Sequence, residues 1–245
     1  MTDDQSPQDD LHAGLQYTEQ KAFDQAIDVL TRALAAAPNL VAAYMARSEA
    51  YLQIDDFDAA RTDAESAIQL DPTNATAHYH RGMVFFEQRD YATGFQIAET
   101  ALSHHPEHAR ALRLLGGCAF GLGDHAAALR HASRAAELDD TDEAAFMIIG
   151  AAHYEMGRRD LAIQNITQAI EIAPDYSMAY DWRGKIYMQL GKQSRAMRDF
   201  RRILRITPYN ATTYLKRGQA YCAEKRYKKA IPDFEEVLRR IPDHP

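Results

Sequence analysis

The residues with the strongest claim to chemistry are His104, His105, Glu107 and His108, four potential metal donors within five positions. Neutral imidazoles and a carboxylate are proper ligands for a borderline ion such as zinc. Adjacent donors on a loop point apart, however, and nothing nearby fixes a second shell to orient them. Solvated loop histidines are therefore expected, and no metal. Asp139, Asp140, Asp142 and Glu143 lack the glycine and the spacing of a calcium loop. Helix capping by Asp142 or Thr141 is the simpler role. Gly116, Gly117, Gly121 and Gly123 fall within and at the end of a predicted helix rather than after a strand, so they do not form a phosphate cradle. The zincin, nucleophile-elbow and phosphate-loop motifs are all missing from the sequence. Three glycosylation sequons begin at Asn74, Asn165 and Asn210, and the first and third read better as helix caps. No residue set supports catalysis, so the sequence predicts no enzyme, no cofactor and no small-molecule substrate.

Composition narrows the class further. Hydrophobic residues make up 46% of the 245 and charged residues 26%, which is the balance of a folded, soluble chain. The longest stretch free of Asp, Glu, Lys and Arg, residues 33–46, is too short to cross a bilayer and contains Pro38. The start, MTDDQSPQDD, has no apolar core and does not read as a secretory signal. Two cysteines exclude a disulfide scaffold and fit a reducing compartment, so a cytoplasmic location is expected. The formal net charge of −7 hides an asymmetry. Residues 177–245 hold 16 basic and 7 acidic side chains, a net of +9, which leaves residues 1–176 at −16. Such a split marks either a surface for an anionic partner or a means of self-contact.

The elements that would position any site come from a repeat. Pro38, Pro72, Pro106, Pro174, Pro208 and Pro242 lie on one 34-residue grid, and Asp140 fills the single gap. A glycine column runs Gly14, Ser48, Gly82, Gly116, Gly150, Gly184, Gly218. Two small-residue columns start at Ala26 and Ala33, and a largely aromatic one at Tyr17. Each unit reads as two amphipathic helices. In the sixth, one helix over 178–190 ends at Gly191, and a second over 193–206 ends before Pro208. Cys118 and Cys222 stand three units apart, too far for a bridge.

In these columns the chain resembles the tetratricopeptide repeat (TPR) family. The resemblance implies an all-α, right-handed solenoid of seven 34-residue helix–turn–helix repeats, at 7–40, 41–74, 75–108, 109–142, 143–176, 177–210 and 211–244, forming one domain after a flexible acidic N-terminus over 1–6. The fourth repeat, with Ala119, His125 and Asp140 at unusual positions, is expected to be its softest part.

The resemblance also implies a function: a scaffold whose first helices line a groove for a partner protein, as a helix or an extended segment. Met45, Tyr79, Met83, Phe86, Phe120, Met147, Tyr154, Asp181 and Met188 would line that groove, and Arg110, Arg113, Lys185 and Lys216 would hold a partner at its rim. The Lys/Asn pattern by which one subgroup grips chaperone carboxylates has no match. Two alternatives remain: an adaptor for nucleic acid or an anionic surface using the basic C-terminal repeats, and an accessory subunit of an enzyme complex. Arg195, Arg198, Arg202 and Arg205 recur along one helix face, but little aromatic character accompanies them, which favours a solvated face over nucleic-acid binding. Arg47, Arg81, Arg183 and Arg217 share a column, and cross-repeat pairs Asp63–Arg81 and Asp199–Arg217 are expected. Ile231, Phe234, Leu238 and Ile241 form one apolar stripe on the last helix, whose early turns Pro232 weakens. That stripe predicts self-association, as a homodimer through the seventh repeat.

Overall fold

A computed structural model describes residues 6–241. The acidic residues 1–5 and the last four residues lie outside it. Fourteen helices follow one another: Pro7–Glu19 (α1), Phe23–Ala36 (α2), Val41–Gln53 (α3), Phe57–Leu70 (α4), Ala75–Glu87 (α5), Tyr91–His104 (α6), Ala109–Gly121 (α7), His125–Leu138 (α8), Glu143–Glu155 (α9), Arg159–Ile172 (α10), Ser177–Gln189 (α11), Gln193–Ile206 (α12), Ala211–Ala223 (α13) and Tyr227–Arg240 (α14). The described residues contain no strand. The fold is the expected all-α solenoid type, one helix hairpin per repeat. The chain forms two compact units that divide between Leu138 and Asp139, at the end of the fourth repeat.

Local chemistry sets the helix ends. Side chains of Asn74, Asp142 and Asn210 accept the backbone N–H three residues on, as predicted, and so cap α5, α9 and α13. Ser6 caps α1 through a reciprocal pair with Asp9, so the sequence expectation of a loose segment does not hold for that residue. Each first helix turns into its partner through a left-handed residue. Gly123, Gly157 and Gly191 fill that position in three repeats, while Lys21, Asp55, Arg89 and Lys225 hold positive φ in the other four.

The small columns form the core. Ala26, Ala60, Ala128, Ala162 and Ala196 are fully buried, as are Ala33, Ala67, Ala101, Ala135 and Ala169. The glycine column lets the two helices of a hairpin approach until a large side chain fills the contact. A Cβ on Gly184 would stand 2.6 Å from the Phe200 ring, and one on Gly218 2.5 Å from that of Phe234. Phe234 therefore packs inside its own hairpin and leaves the expected outer stripe. Ile231, Leu238 and Ile241 remain 53%, 51% and 44% exposed.

The arginine column pairs differently from the sequence expectation. Asp63 binds Arg47 at 2.7 and 2.8 Å, and Asp199 binds Arg183 at 3.0 and 2.8 Å. Asp233, which the sequence reading passed over, binds Arg217 in the same way. Each pair closes the hairpin of a single repeat across 16 residues, because the two columns face each other within the hairpin. The link to the preceding repeat is a hydroxyl: Arg47 donates to Thr31 at 2.9 Å and Arg183 to Thr167 at 3.0 Å. Arg81 has Ile97 where an aspartate would stand, and its Nε is buried without a partner.

Candidate partner-binding surface

In residues 6–138 the first helices α1, α3, α5 and α7 pack side by side. The groove residues predicted here are largely consumed by that packing. Tyr79 is 4% exposed, and Met83 and Phe86 pack against the cluster of Tyr79, Leu114, Leu115 and Cys118. Burial pushes the Cys118 thiol up to about 12, so it is an inert packing group. Met45 and Phe120 are half-buried, the latter 5.3 Å from the His125 ring.

The polar residues of this face answer one another. Arg113 donates to the Tyr79 hydroxyl at 3.1 Å, and the Arg110 guanidinium lies 5.7 Å from the same ring. Glu49 Oε2 stands 3.0 Å from His80 Nε2 and 3.5 Å from Arg110. The His80 approach lies off the ring N–H direction, so it acts as an electrostatic contact more than as an aligned hydrogen bond. The His80 contact holds the Glu49 carboxyl below its ordinary value, against burial, which pushes it up, and with help from Arg110 and Arg113.

The histidine run behaves as a set of packing and capping groups. The His108 ring accepts the Ala111 N–H at 3.1 Å and so caps α7. His78 stacks on His104 at 5.4 Å. Among the described residues no three His, Cys, Asp or Glu side chains gather as metal ligands.

Residues 139–241 present a different face. Met147 is 4% exposed and unavailable. Between α11 and α13 a cleft of about 550 Å³ opens, lined by Asp181, Trp182, Lys185, Met188, Lys216 and Gln219 among others. Lys216 donates to both oxygens of Asp181, at 2.6 and 2.8 Å, and this pair bridges the two helices. The Lys185 ammonium sits 4.8 Å from the Tyr154 ring and 4.7 Å from that of Trp182, and the two rings meet edge-on at 5.7 Å. Four predicted groove residues, Asp181, Lys185, Met188 and Lys216, thus line one cleft, with Tyr154 beside it. Trp182 was missed. It shares a column with His12, Ala46, His80, Leu114, Ile148 and Lys216, and the chain's single tryptophan standing on a first helix was the available signal.

The repeat geometry and the sequence columns meet in the family comparison. Models described as tetratricopeptide repeat match residues 81–143, 149–211 and 211–244, and one described as TPR repeat matches 49–88. The chain belongs to the tetratricopeptide repeat family. Among solved TPR-like structures, the Cut9–Hcn1 hetero-tetramer of APC/C aligns with a TM-score of 0.84 at 15% identity, over 89% of this chain. This chain spans 44% of that one. PilF of Pseudomonas aeruginosa aligns with a TM-score of 0.71 at 17% identity, covering 83% of this chain and 93% of its own. YrrB, described as a TPR protein with an unusual peptide-binding site, aligns with a TM-score of 0.53 at 22% identity, covering 80% of this chain and 97% of its own. At these identities the likeness is one of fold. No curated protein matches the sequence. No helix among the described residues is long and apolar enough to cross a membrane.

Proposed function

We propose that this TPR protein is a non-enzymatic, cytoplasmic scaffold that holds a segment of a partner protein in the cleft between α11 and α13. The observation that carries the reading is the cleft itself: about 550 Å³ on a first-helix face, with Trp182 and Met188 as apolar surface and charged groups at its edge. Apolar walls with a few placed polar groups are the usual composition of a binding cleft. An aromatic and a flexible methionine suit a partner side chain. Hydrogen exchange of the full chain with a binding partner tests this. Protection of α11 and α13 is expected, and protection confined to the second helices would contradict it.

Self-association through α14 is a second reading, favoured by the exposure of Ile231, Leu238 and Ile241. Equilibrium sedimentation should show a dimer that Leu238→Glu dissociates, whereas a clean monomer at tens of micromolar removes the proposal. The anionic-surface alternative rests on α12, where Arg195, Arg198 and Arg205 are exposed and Arg202 donates to the Pro174 carbonyl. Steeply salt-dependent oligonucleotide binding that is lost on replacing these arginines would favour it over the scaffold reading.

A further inference from the structure

The charged groups around the α11–α13 cleft select one class of occupant. Asp181 is its only carboxylate among the described lining residues, and both its oxygens are taken by Lys216. Lys216 is an ammonium with three donors, of which Asp181 engages two. Lys185 has no carboxylate within ion-pair distance among the described residues. Its ammonium is held instead by the rings of Tyr154 and Trp182. Aromatic faces attract a cation without neutralising it. The cleft therefore carries two positive charges against one negative, within a C-terminal region of net +9.

A basic segment has no place to dock. The aromatic position that would welcome a cation is already filled by Lys185, and the carboxylate that would pair with it is already bound. A carboxylate is favoured, because it reaches Lys185 directly and can share Lys216 with Asp181. An apolar side chain next to that carboxylate meets Trp182, 5.7 Å from Tyr154, and Met188. The cleft volume suits a few side chains of an extended or helical segment, not a duplex.

We infer that the cleft between α11 and α13 binds an acidic segment of a partner protein, in which Asp or Glu flanks an apolar anchor, with Lys185 as the principal charge contact and Trp182 as the apolar one. This deepens the scaffold reading above and rests on its choice of cleft. Complementary charge of this kind sets specificity and encounter rate more than bulk affinity.

A displayed random peptide library, selected on the full chain and counter-selected on Trp182→Ala, tests it. Surviving sequences are expected to be rich in Asp and Glu beside Leu, Ile or Phe. Synthetic survivors should shift the emission of Trp182, the sole tryptophan. Their affinity should fall about tenfold in Lys185→Gln, recover in Lys185→Arg, and fall with added salt. Lys185 is exposed, so Lys185→Gln gives the same contrast if Trp182→Ala fails to fold. Survivors without acidic enrichment, or indifferent to Lys185→Gln, overturn the acidic class and leave the cleft reading standing. A library from which nothing survives counter-selection, on folded variants, overturns both. A single-stranded oligonucleotide that shifts Trp182 emission and competes with the survivors through Lys185 overturns the commitment to a protein partner.

Discussion

Along α3, α5 and α7 a glutamate stands among His80, Arg110 and Arg113, and a buried tyrosine accepts from an arginine; along α11 and α13 one lysine is paired and another is held only by aromatic rings. The same sequence column lies behind both. It carries His12, Ala46, His80 and Leu114 in the first unit and Ile148, Trp182 and Lys216 in the second. α5 and α7 pack against one another, and polar groups trapped by that closure must be satisfied locally. Between α11 and α13 the Lys216–Asp181 pair is the bridge, and Trp182 and Lys185 line the cleft beside it. One face has turned its polar chemistry to cohesion, and the other leaves a lysine held by aromatic rings alone.

The hairpins beneath both faces close alike, and this is the most severe test of the comparison. Asp63 and Asp199 side chains are 4% and 6% exposed, and their arginines 16% and 15%. Asp63→Ala and Asp199→Ala should each cost about 3 kcal/mol, since each strands a mostly buried guanidinium. Urea denaturation would measure both. A loss confined to one of the two would mean that the units differ in their framework as well as in their faces.

A smaller and more direct contrast lies on the faces themselves. Glu49→Gln removes a carboxylate that a buried His80 and Arg110 share, so a loss of about 2 kcal/mol is expected. Asp181→Asn disturbs a pair whose side chains are 36% and 33% exposed, and should cost less than about 1 kcal/mol. Equal losses in chemical denaturation would dissolve the distinction between a cohesive face and an available one.

Much of this is legible in the sequence. Proline, glycine and alanine columns mark hairpin boundaries because each answers a strict local demand, namely a helix stop or a close approach. Lys21, Asp55, Arg89 and Lys225 were not legible as turn residues, because the left-handed turn is closed by backbone hydrogen bonds around them, such as Ala22 N–H to the Tyr17 carbonyl, which a residue type does not announce. The Arg–Asp pairs were seen as columns but assigned to the wrong neighbour. Two columns on adjacent helices can face inward to their own hairpin or outward to the next, and periodicity alone is silent on the choice. The groove was half legible: Asp181, Lys185, Met188 and Lys216 converge, whereas Tyr79 and Met147 are buried. First-helix position predicts the side of the hairpin, and the size of neighbouring residues decides whether that side stays open.

Arg81 provides a prediction of opposite sign. Its column partner is Ile97, its Nε is buried without a hydrogen bond, and its charge opposes protonation of His78. The fourth and fifth repeats carry Leu115 and Ile149 at this position. Arg81→Leu should therefore stabilise the chain by about 1 kcal/mol, by replacing an unsatisfied buried donor with an apolar group. A thermal melt that falls rather than rises would show that Arg81 is bound by something beyond its own repeat.

The smallest effect expected is a pH dependence that separates the two units. Burial lowers His78, His108 and His131 in the first unit, and His153 in the second, below the ordinary imidazole value. Positive neighbours reinforce this: Arg81 and His104 near His78, His105, Arg110 and His80 near His108, Arg130 near His131, and Arg158 near His153. The geometry at His108 agrees. Nδ1 accepts the Ala111 N–H, so it carries no proton there, and Nε2 is left to donate to Thr76 Oγ1 at 3.1 Å. A second proton would remove the cap of α7. Because the folded values are depressed, the unfolded chain takes up more protons as pH falls through about 6.5, and stability is lost in that direction. Lowering the pH from about 7.5 to about 5.5 should speed exchange of the first amides of α5 and α7, corrected for intrinsic rates, more than those of α11 and α13. The cap column offers its own control, since Asn74 and Asn210 do the work of His108 in other repeats. His108→Asn should keep the cap and remove the pH-dependent part of exchange at α7. An unchanged pH slope in that variant would place the sensitivity elsewhere in the histidine cluster and leave the α7 cap out of it.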